Sequence, residues 1–171
     1  MTRSVESAQA EDFRSLMSGF PTGVVVVTTF DLEGRPRGMT CSSLCSVALD
    51  PPTLLVCMRQ GSATLRAVEQ RGSFAVNLLH GGGRLVAELF ASGSPDRFDR
   101  VLWKVPPAAA GPHLPDDARA VADCKVTATK PVGDHTVVFG EVQEVTTPLA
   151  AAAPLLYGLR RYATWPLGLP E

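Results

Sequence analysis

Gly23, Val24, Val25, Val26, Val27, Thr28, Thr29 and Phe30 form an unbroken run with six β-branched residues in succession. Branching at Cβ stiffens χ1, which disfavours a helix and suits a pleated strand. The run is strand-length, and its apolar residues do not alternate with polar ones. It therefore reads as a strand buried on both faces. Upstream, Pro21 and Gly23 end an amphipathic helix running from Ala8 to Phe20. Phe13, Leu16, Met17 and Phe20 recur there at helical spacing, with Glu11, Asp12 and Arg14 between them. Downstream, Asp31 to Pro36 reads as a turn and Gly38 to Leu49 as a second strand or extended segment, making an antiparallel hairpin.

The same reading extends along the chain. Asp50, Pro51 and Pro52 break the second strand, and Thr53 to Met58 is a third. Ser62 is placed to cap a short helix ending near Arg71 and Gly72. Ser73 to Leu79 is the fourth strand, and Gly81, Gly82 and Gly83 open a helix through Leu85, Val86, Leu89 and Phe90. Three glycines before a helix serve as a loop more readily than as a phosphate cradle. Ser92 to Asp99 and Pro106 to Pro115 are irregular. Ala120 to Thr129 and His135 to Thr146 are two long strands joined by Lys130 to Asp134. Hairpin-joined strands with a few short helices predict a mostly β fold, an antiparallel six-stranded barrel rather than a doubly wound parallel sheet. The expected organisation is one domain over residues 1–171 with a core from about 13 to 162.

Composition narrows the function. Of 171 residues, 45% are hydrophobic and 19% charged, so the chain can bury a core. A net charge of −1 excludes an electrostatic nucleic-acid clamp. No apolar run reaches the roughly 20 residues of a spanning helix, and the first residues carry no signal-peptide pattern, so no membrane partner and a cytoplasmic location are expected. Cys41, Cys45, Cys57 and Cys124 contain no C-x-x-C pair; most of them read as small buried apolar residues, and no metal site is expected. Cys41 and Cys45, four apart on an extended strand, are too distant to bridge. Rossmann, Walker A, zincin and nucleophile-elbow motifs are all missing from the sequence.

The segment from Met39 to Pro52 is the most informative for chemistry. Thr40, Ser42, Ser43 and Ser46 put four hydroxyls into a stretch otherwise suited to a core strand. Two readings stand open: a hydrogen-bonding platform for a planar heterocycle such as a flavin ring, or a solvent-facing strand edge. Taken with Phe13-Arg14 to Phe20-Pro21-Thr22-Gly23-Val24, Phe74-Ala75-Val76-Asn77-Leu78, Asp96-Arg97-Phe98 and Gly133-Asp134-His135-Thr136-Val137-Val138-Phe139-Gly140-Glu141-Val142, the segment closely resembles the short-chain flavin reductases. These are NAD(P)H:flavin oxidoreductases that serve two-component flavin monooxygenases. The resemblance runs in order from about Phe13 to Tyr162.

That resemblance implies an FMN-binding split β-barrel, a homodimer, and a metal-free site. It implies contacts from Thr40, Cys41, Ser42, Ser43 and Ser46 to the flavin ring and ribityl chain, with Asp50 and Pro51 shaping the turn behind them. It places the flavin phosphate near Arg59, Ser62 and Thr64, where a cation and a capped helix N-terminus converge. Asn77 and Leu78 would lie along the flavin, and Arg97 and Phe98 in a loop near its phosphate end. His135, as the catalytic-site residue, would hold NADH or NADPH with its nicotinamide over the ring. Tyr157 and Arg161 would lie near the dinucleotide, or make a surface or dimer contact. Cys41 stands where small residues are usual in the family. His80 and His113 lie outside every matching motif.

The implied activity is NAD(P)H-dependent reduction of free FMN or FAD by hydride transfer to flavin N5. The reduced flavin would then pass, by diffusion, to a separate flavin-dependent monooxygenase. Two alternatives share the barrel: a flavin- or haem-binding module without turnover, and an oxidoreductase with another substrate, such as a corrinoid. The Gly133-Asp134-His135 turn favours the reductase, since a pure binding module has no need of a nicotinamide site.

Overall fold

The computed structural model describes residues 5–166. Its elements, in chain order, are α1 (Val5–Ser18), β1 (Thr22–Gly23), β2 (Val25–Phe30), β3 (Pro36–Cys41), β4 (Cys45–Leu49), β5 (Pro52–Arg59), α2 (Ala63–Arg71), β6 (Ser73–Leu79), α3 (Arg84–Ala91), a 3-10 turn (Arg97–Asp99), β7 (Ala118–Val132), β8 (His135–Thr146), β9 (Leu155–Gly158) and β10 (Arg161–Thr164). No helix among the described residues is long and apolar enough to cross a membrane.

The valine run does what its composition requires. Val25 and Val27 point into one core, with Val56, Met58, Phe74 and Val138; Val24 and Val26 point into a second, with Phe90, Leu114 and Leu155. A strand with water on neither face needs no alternation, so its sequence is continuously apolar. Thr28 and Thr29, fully buried, donate their hydroxyls to the carbonyls of Pro112 and Ser73.

The expected six-stranded barrel is corrected. The main sheet has seven antiparallel strands in the order β3-β2-β6-β7-β8-β5-β4, and it is open. The segment read as one strand from Gly38 to Leu49 breaks at Ser42, Ser43 and Leu44, and its two halves become the opposite edges of the sheet. No ladder joins β3 to β5 across that seam. Instead the Ser43 hydroxyl accepts from the Cys57 N–H and donates to the Cys57 carbonyl, both at 3.0 Å. The β4–β5 pairing itself shifts register between Ser46 and Ala48.

The segment after Pro148, which has no strand signal in the sequence, forms a hairpin. β9 pairs with both β1 and β10 to make a three-stranded sheet. The helices follow their signals more closely. Ser62 accepts from the Leu65 N–H to open α2, and Gly72, at φ +67°, closes it in the left-handed conformation glycine tolerates. The irregular 106–115 stretch is tied down by His113, whose Nε2 meets Asp123 Oδ2 at 2.9 Å while Asp123 Oδ1 accepts the Ala110 N–H.

Asn77 is the polar counterpart of the valines. Fully buried, its side-chain N–H₂ donates to the carbonyls of Val26 and Pro112 and to the Thr28 hydroxyl, and its carbonyl accepts from the Leu114 N–H. It thus ties β2, β6 and the 112–114 loop together from a fully buried position. Asn77→Ala strands several of these groups in a dry interior, at about 1–3 kcal/mol for each. It is expected to lower the unfolding midpoint by roughly 5 °C or more in a thermal melt. Loss of flavin affinity at unchanged stability would return Asn77 to a ligand-binding role.

Candidate functional site

A cleft of about 960 Å³ opens between α1, the strand break and the tail hairpin. Phe13, Met17 and Phe20 form one wall, Thr22 and Tyr157 the floor, and Ser42 and Ser43 the corner. Arg14 and Arg160 line the same space, as does Glu11. A smaller recess of about 210 Å³ shares Ser42 and Tyr157 and reaches in to Thr40 and Tyr162. The rings of Tyr157 and Tyr162 sit 5.1 Å apart at 59°, and the Arg84 guanidinium lies 5.9 Å from the Tyr162 ring centre. Burial pushes the Tyr162 phenol up, with Glu88 and Tyr157 adding to the effect.

Phe13, Leu16 and Phe20 are each more than 60% exposed. The sequence predicts these residues as the apolar stripe of an amphipathic helix. The helix forms, but nothing among the described residues covers most of that stripe. An apolar stripe without a partner is what distinguishes a binding wall from a core helix, and single-sequence periodicity does not separate the two.

The sequence-derived site residues fall into three groups. Ser42, Ser43, Thr40 and Tyr157 do come together around the cleft and its recess. Ser42 has no hydrogen-bond partner among the described residues, whereas Thr40 donates to the Ala87 carbonyl at 2.7 Å and Ser43 is engaged at the seam.

A second group gathers at the far end of β5. Arg59 pairs across the ladder with His135, two residues along from Cys57, which is roughly 7 Å of strand beyond the Ser43 seam. His135 Nδ1 meets Asp134 Oδ1 at 2.7 Å. That hydrogen bond holds the Asp134 carboxyl below the usual carboxylate range, with the nearby charge of Arg59 adding a smaller share.

The third group is either buried in the fold or lies outside the cleft lining. Cys41 is buried in the main core, and burial pushes its thiol up to about 12. Asn77 is spent inside the fold. Leu78 packs against the main core, Thr64 is buried in α2, and the Ser62 hydroxyl is used as the cap. Phe98 packs edge-on against Phe90 and Trp103 at 5.0 and 6.0 Å, and the half-buried Arg97 has its pKa lowered by burial and by Arg37. Ser46, Asp50 and Pro51 are exposed on β4 and its turn, outside the cleft lining. Cys45 is exposed too, against the expectation of a buried thiol. In the tail it is Arg160, not Arg161, that lines the cleft.

The wall, floor and corner suit a flat aromatic ligand carrying hydrogen-bonding edges. Residues 17–166 match the family model described as a flavin reductase like domain. The flavin reductase (NADPH) of Lentzea aerocolonigenes is 52% identical over 156 residues, covering 91% of this chain and 90% of the relative. A Streptomyces globisporus C-1027 NADH:FAD oxidoreductase, solved in complex with NAD and FAD fragments, superposes with a TM-score of 0.86 at 31% identity, over 97% of this chain and 98% of that one. The styrene monooxygenase flavin reductase of Pseudomonas putida S12 does so with a TM-score of 0.82 at 33% identity, over 92% and 99%. With a matching model over most of its length and a relative of this identity, the chain belongs to the flavin reductase-like domain family.

Proposed function

We propose that this protein is an NAD(P)H:flavin oxidoreductase that reduces FMN or FAD and releases the product to a separate flavin-dependent monooxygenase. The observation that carries the reading is the cleft. Its exposed aromatic wall, its unpartnered Ser42 hydroxyl and its tyrosine floor offer a stacking face and a hydrogen-bonding edge side by side. When bound, the two cofactors supply the chemistry, hydride transfer from nicotinamide C4 to flavin N5. The chain has to position and shield them rather than provide an acid or base. Phe13, Phe20 and Tyr157 stack on and exclude water from the ring, and Ser42 fixes its edge. Reductase names given to the relatives above support the same reading.

In this reading Arg59 meets the flavin phosphate and His135, steadied by Asp134, sets the nicotinamide. The two are cross-strand neighbours, so one pair of variants separates their ligands. Arg59→Ala is expected to weaken FMN about tenfold or more relative to riboflavin, which has no phosphate to lose. His135→Ala is expected to raise KM for the nicotinamide cofactor and slow the reaction by up to about a hundredfold, with flavin affinity held. Titration of FMN and riboflavin alongside steady-state kinetics reads both. Flavin affinity that falls in His135→Ala while the nicotinamide parameters hold would reverse the assignment.

The uncovered stripe of α1 also supports a homodimer, with a second copy closing the cleft over Phe13, Leu16 and Phe20. Light scattering at micromolar concentration is expected to give twice the chain mass; a monomer alone would exclude it.

Turnover tests the activity itself. Purified protein with NADH or NADPH, free flavin and air is expected to consume the nucleotide catalytically, at a rate that saturates with added flavin, and to accumulate hydrogen peroxide. A single bleaching event, or turnover indifferent to added flavin, would favour a binding module or a self-contained oxygenase.

A further inference from the structure

Of the three histidines, only His113 is buried against a carboxylate. Its side chain is 3% exposed and that of Asp123 6%, and Nε2 lies 2.9 and 3.1 Å from the two carboxylate oxygens. Withdrawing both groups from water is costly, and the backbone around His113 is already fixed by other bonds. The Pro112 carbonyl accepts from Thr28 and Asn77, the Leu114 N–H donates to Asn77, and His113 exchanges two backbone bonds with Lys104. A side-chain tie that duplicates these leaves the imidazole with a further capacity, its other nitrogen.

Nδ1 of His113 has no hydrogen-bond partner among the described residues. Every fully buried side-chain nitrogen or oxygen there has one, so Nδ1 is not sealed in and reaches the surface. The space it reaches is a recess of about 300 Å³, lined also by Lys104, Val121 and Thr146 and by Pro106, Pro115 and Pro148. It shares no lining residue with the cleft beside α1 or with the smaller recess at Tyr162, and neither Arg59 nor His135 lines it.

Lys104 and His113 stand directly opposite in a hydrogen-bonded antiparallel pair. Their side chains therefore leave the backbone on the same face, from Cα atoms about 5.5 Å apart. Lys104 has no carboxylate within ion-pair distance among the described residues. An ionised carboxylate only accepts, so Asp123 draws the imidazole proton to Nε2 and leaves Nδ1 as an aimed acceptor. The recess thus presents one acceptor, one cation and, on the prolines and Val121, apolar faces. Its volume is at the lower end for small-molecule sites, which suits a single ring.

We infer that this recess is a binding site, separate from the proposed flavin cleft, for a small aromatic carboxylic acid bearing a hydroxyl group. The ligand O–H donates to His113 Nδ1, the carboxylate pairs with the Lys104 ammonium, and the ring lies against the prolines. The site goes beyond the reductase reading and stands or falls without it.

The test titrates the whole chain, free of flavin, with the three hydroxybenzoate isomers, benzoate and phenol, by calorimetry and by proton NMR of the histidine rings. The isomers span the spacings of hydroxyl and carboxylate that a long lysine side chain allows. At least one is expected to bind with a Kd of about 1 mM or tighter. Benzoate, which lacks the hydroxyl, and phenol, which lacks the carboxylate, are each expected to bind about tenfold more weakly. The His113 ring is expected to be the one whose resonance shifts, and saturating FMN to leave the affinity alone. Lys104→Ala is expected to weaken the hydroxybenzoate about tenfold and leave phenol unchanged, with Lys104→Arg restoring most of the loss. His113→Phe is expected to erase the preference over benzoate; if that variant fails to fold, the hydroxybenzoate-to-benzoate ratio in the unmodified protein reads the same contact. Several results would each overturn the proposal: no isomer binding at about 10 mM, benzoate binding as tightly as the hydroxybenzoates, or Lys104→Ala without effect. Competition by FMN, or a shift of His80 or His135 in place of His113, would do the same. Turnover of NADH is not the readout, so failure of the reductase activity and failure of this site are separate results.

Discussion

The two-sided burial of Val24 to Val27 is the constraint on which the other elements depend. Each fully buried valine contributes about 1.5–3 kcal/mol relative to exposure. Both faces must be covered for that stabilisation to be realised. One face is met by β5, β6 and β8 side chains across the sheet, the other by α3 and the Leu114 and Leu155 side chains. A single strand thus calls for cover on both sides: strands together with Leu65 and Val68 of α2 on one, α3 with Leu114 and Leu155 on the other. Asn77 then satisfies the polar groups that this arrangement would otherwise leave dry.

The same strand positions the candidate site without entering it. At Val24 the chain leaves the small sheet for the large one: its N–H donates to the Leu155 carbonyl, and its own carbonyl accepts from Leu79. That crossing hangs the tail hairpin beside the strand break, and α1 lies across the gap between them. Strands carry the floor and the break between β3 and β4 the corner, while the wall is mostly a peripheral helix. Such a division of labour places ligand-contacting groups on a scaffold that does not have to change to accommodate them.

Strand and helix positions were legible wherever local chemistry decides them: the valine run, the Ser62 cap, the Gly72 stop and the long β7–β8 pair. The hydroxyl-rich segment from Thr40 to Ser43 stands out in the sequence, and Thr40, Ser42 and Ser43 line the cleft or its recess. What escaped depends on tertiary partners. A break at Ser42 to Leu44 leaves the composition of a strand intact, since only the competing Cys57 ladder site reveals it. Asn77 and Cys41 sit within the right motifs, yet side-chain direction sends one into a hydrogen-bond hub and the other into the core. Arg160 and Arg161 are chemically identical, and only the hairpin geometry tells them apart. The β9–β10 turn carries no Asn-Gly signal, so the hairpin itself was invisible to turn rules.

The open sheet has two free edges, and unpaired edges are templates for runaway strand addition between molecules. β3 is shielded, because α3 lies on it and takes the Thr40 hydroxyl. β4 has no such cover and exposes Val47 and Leu49, an apolar edge of the kind that polymerises. Its register shift between Ser46 and Ala48 spoils the even spacing of backbone donors and acceptors that an incoming strand would need. An irregularity of this kind at a sheet edge disfavours strand addition, and β4 carries it with no charged residue on the strand.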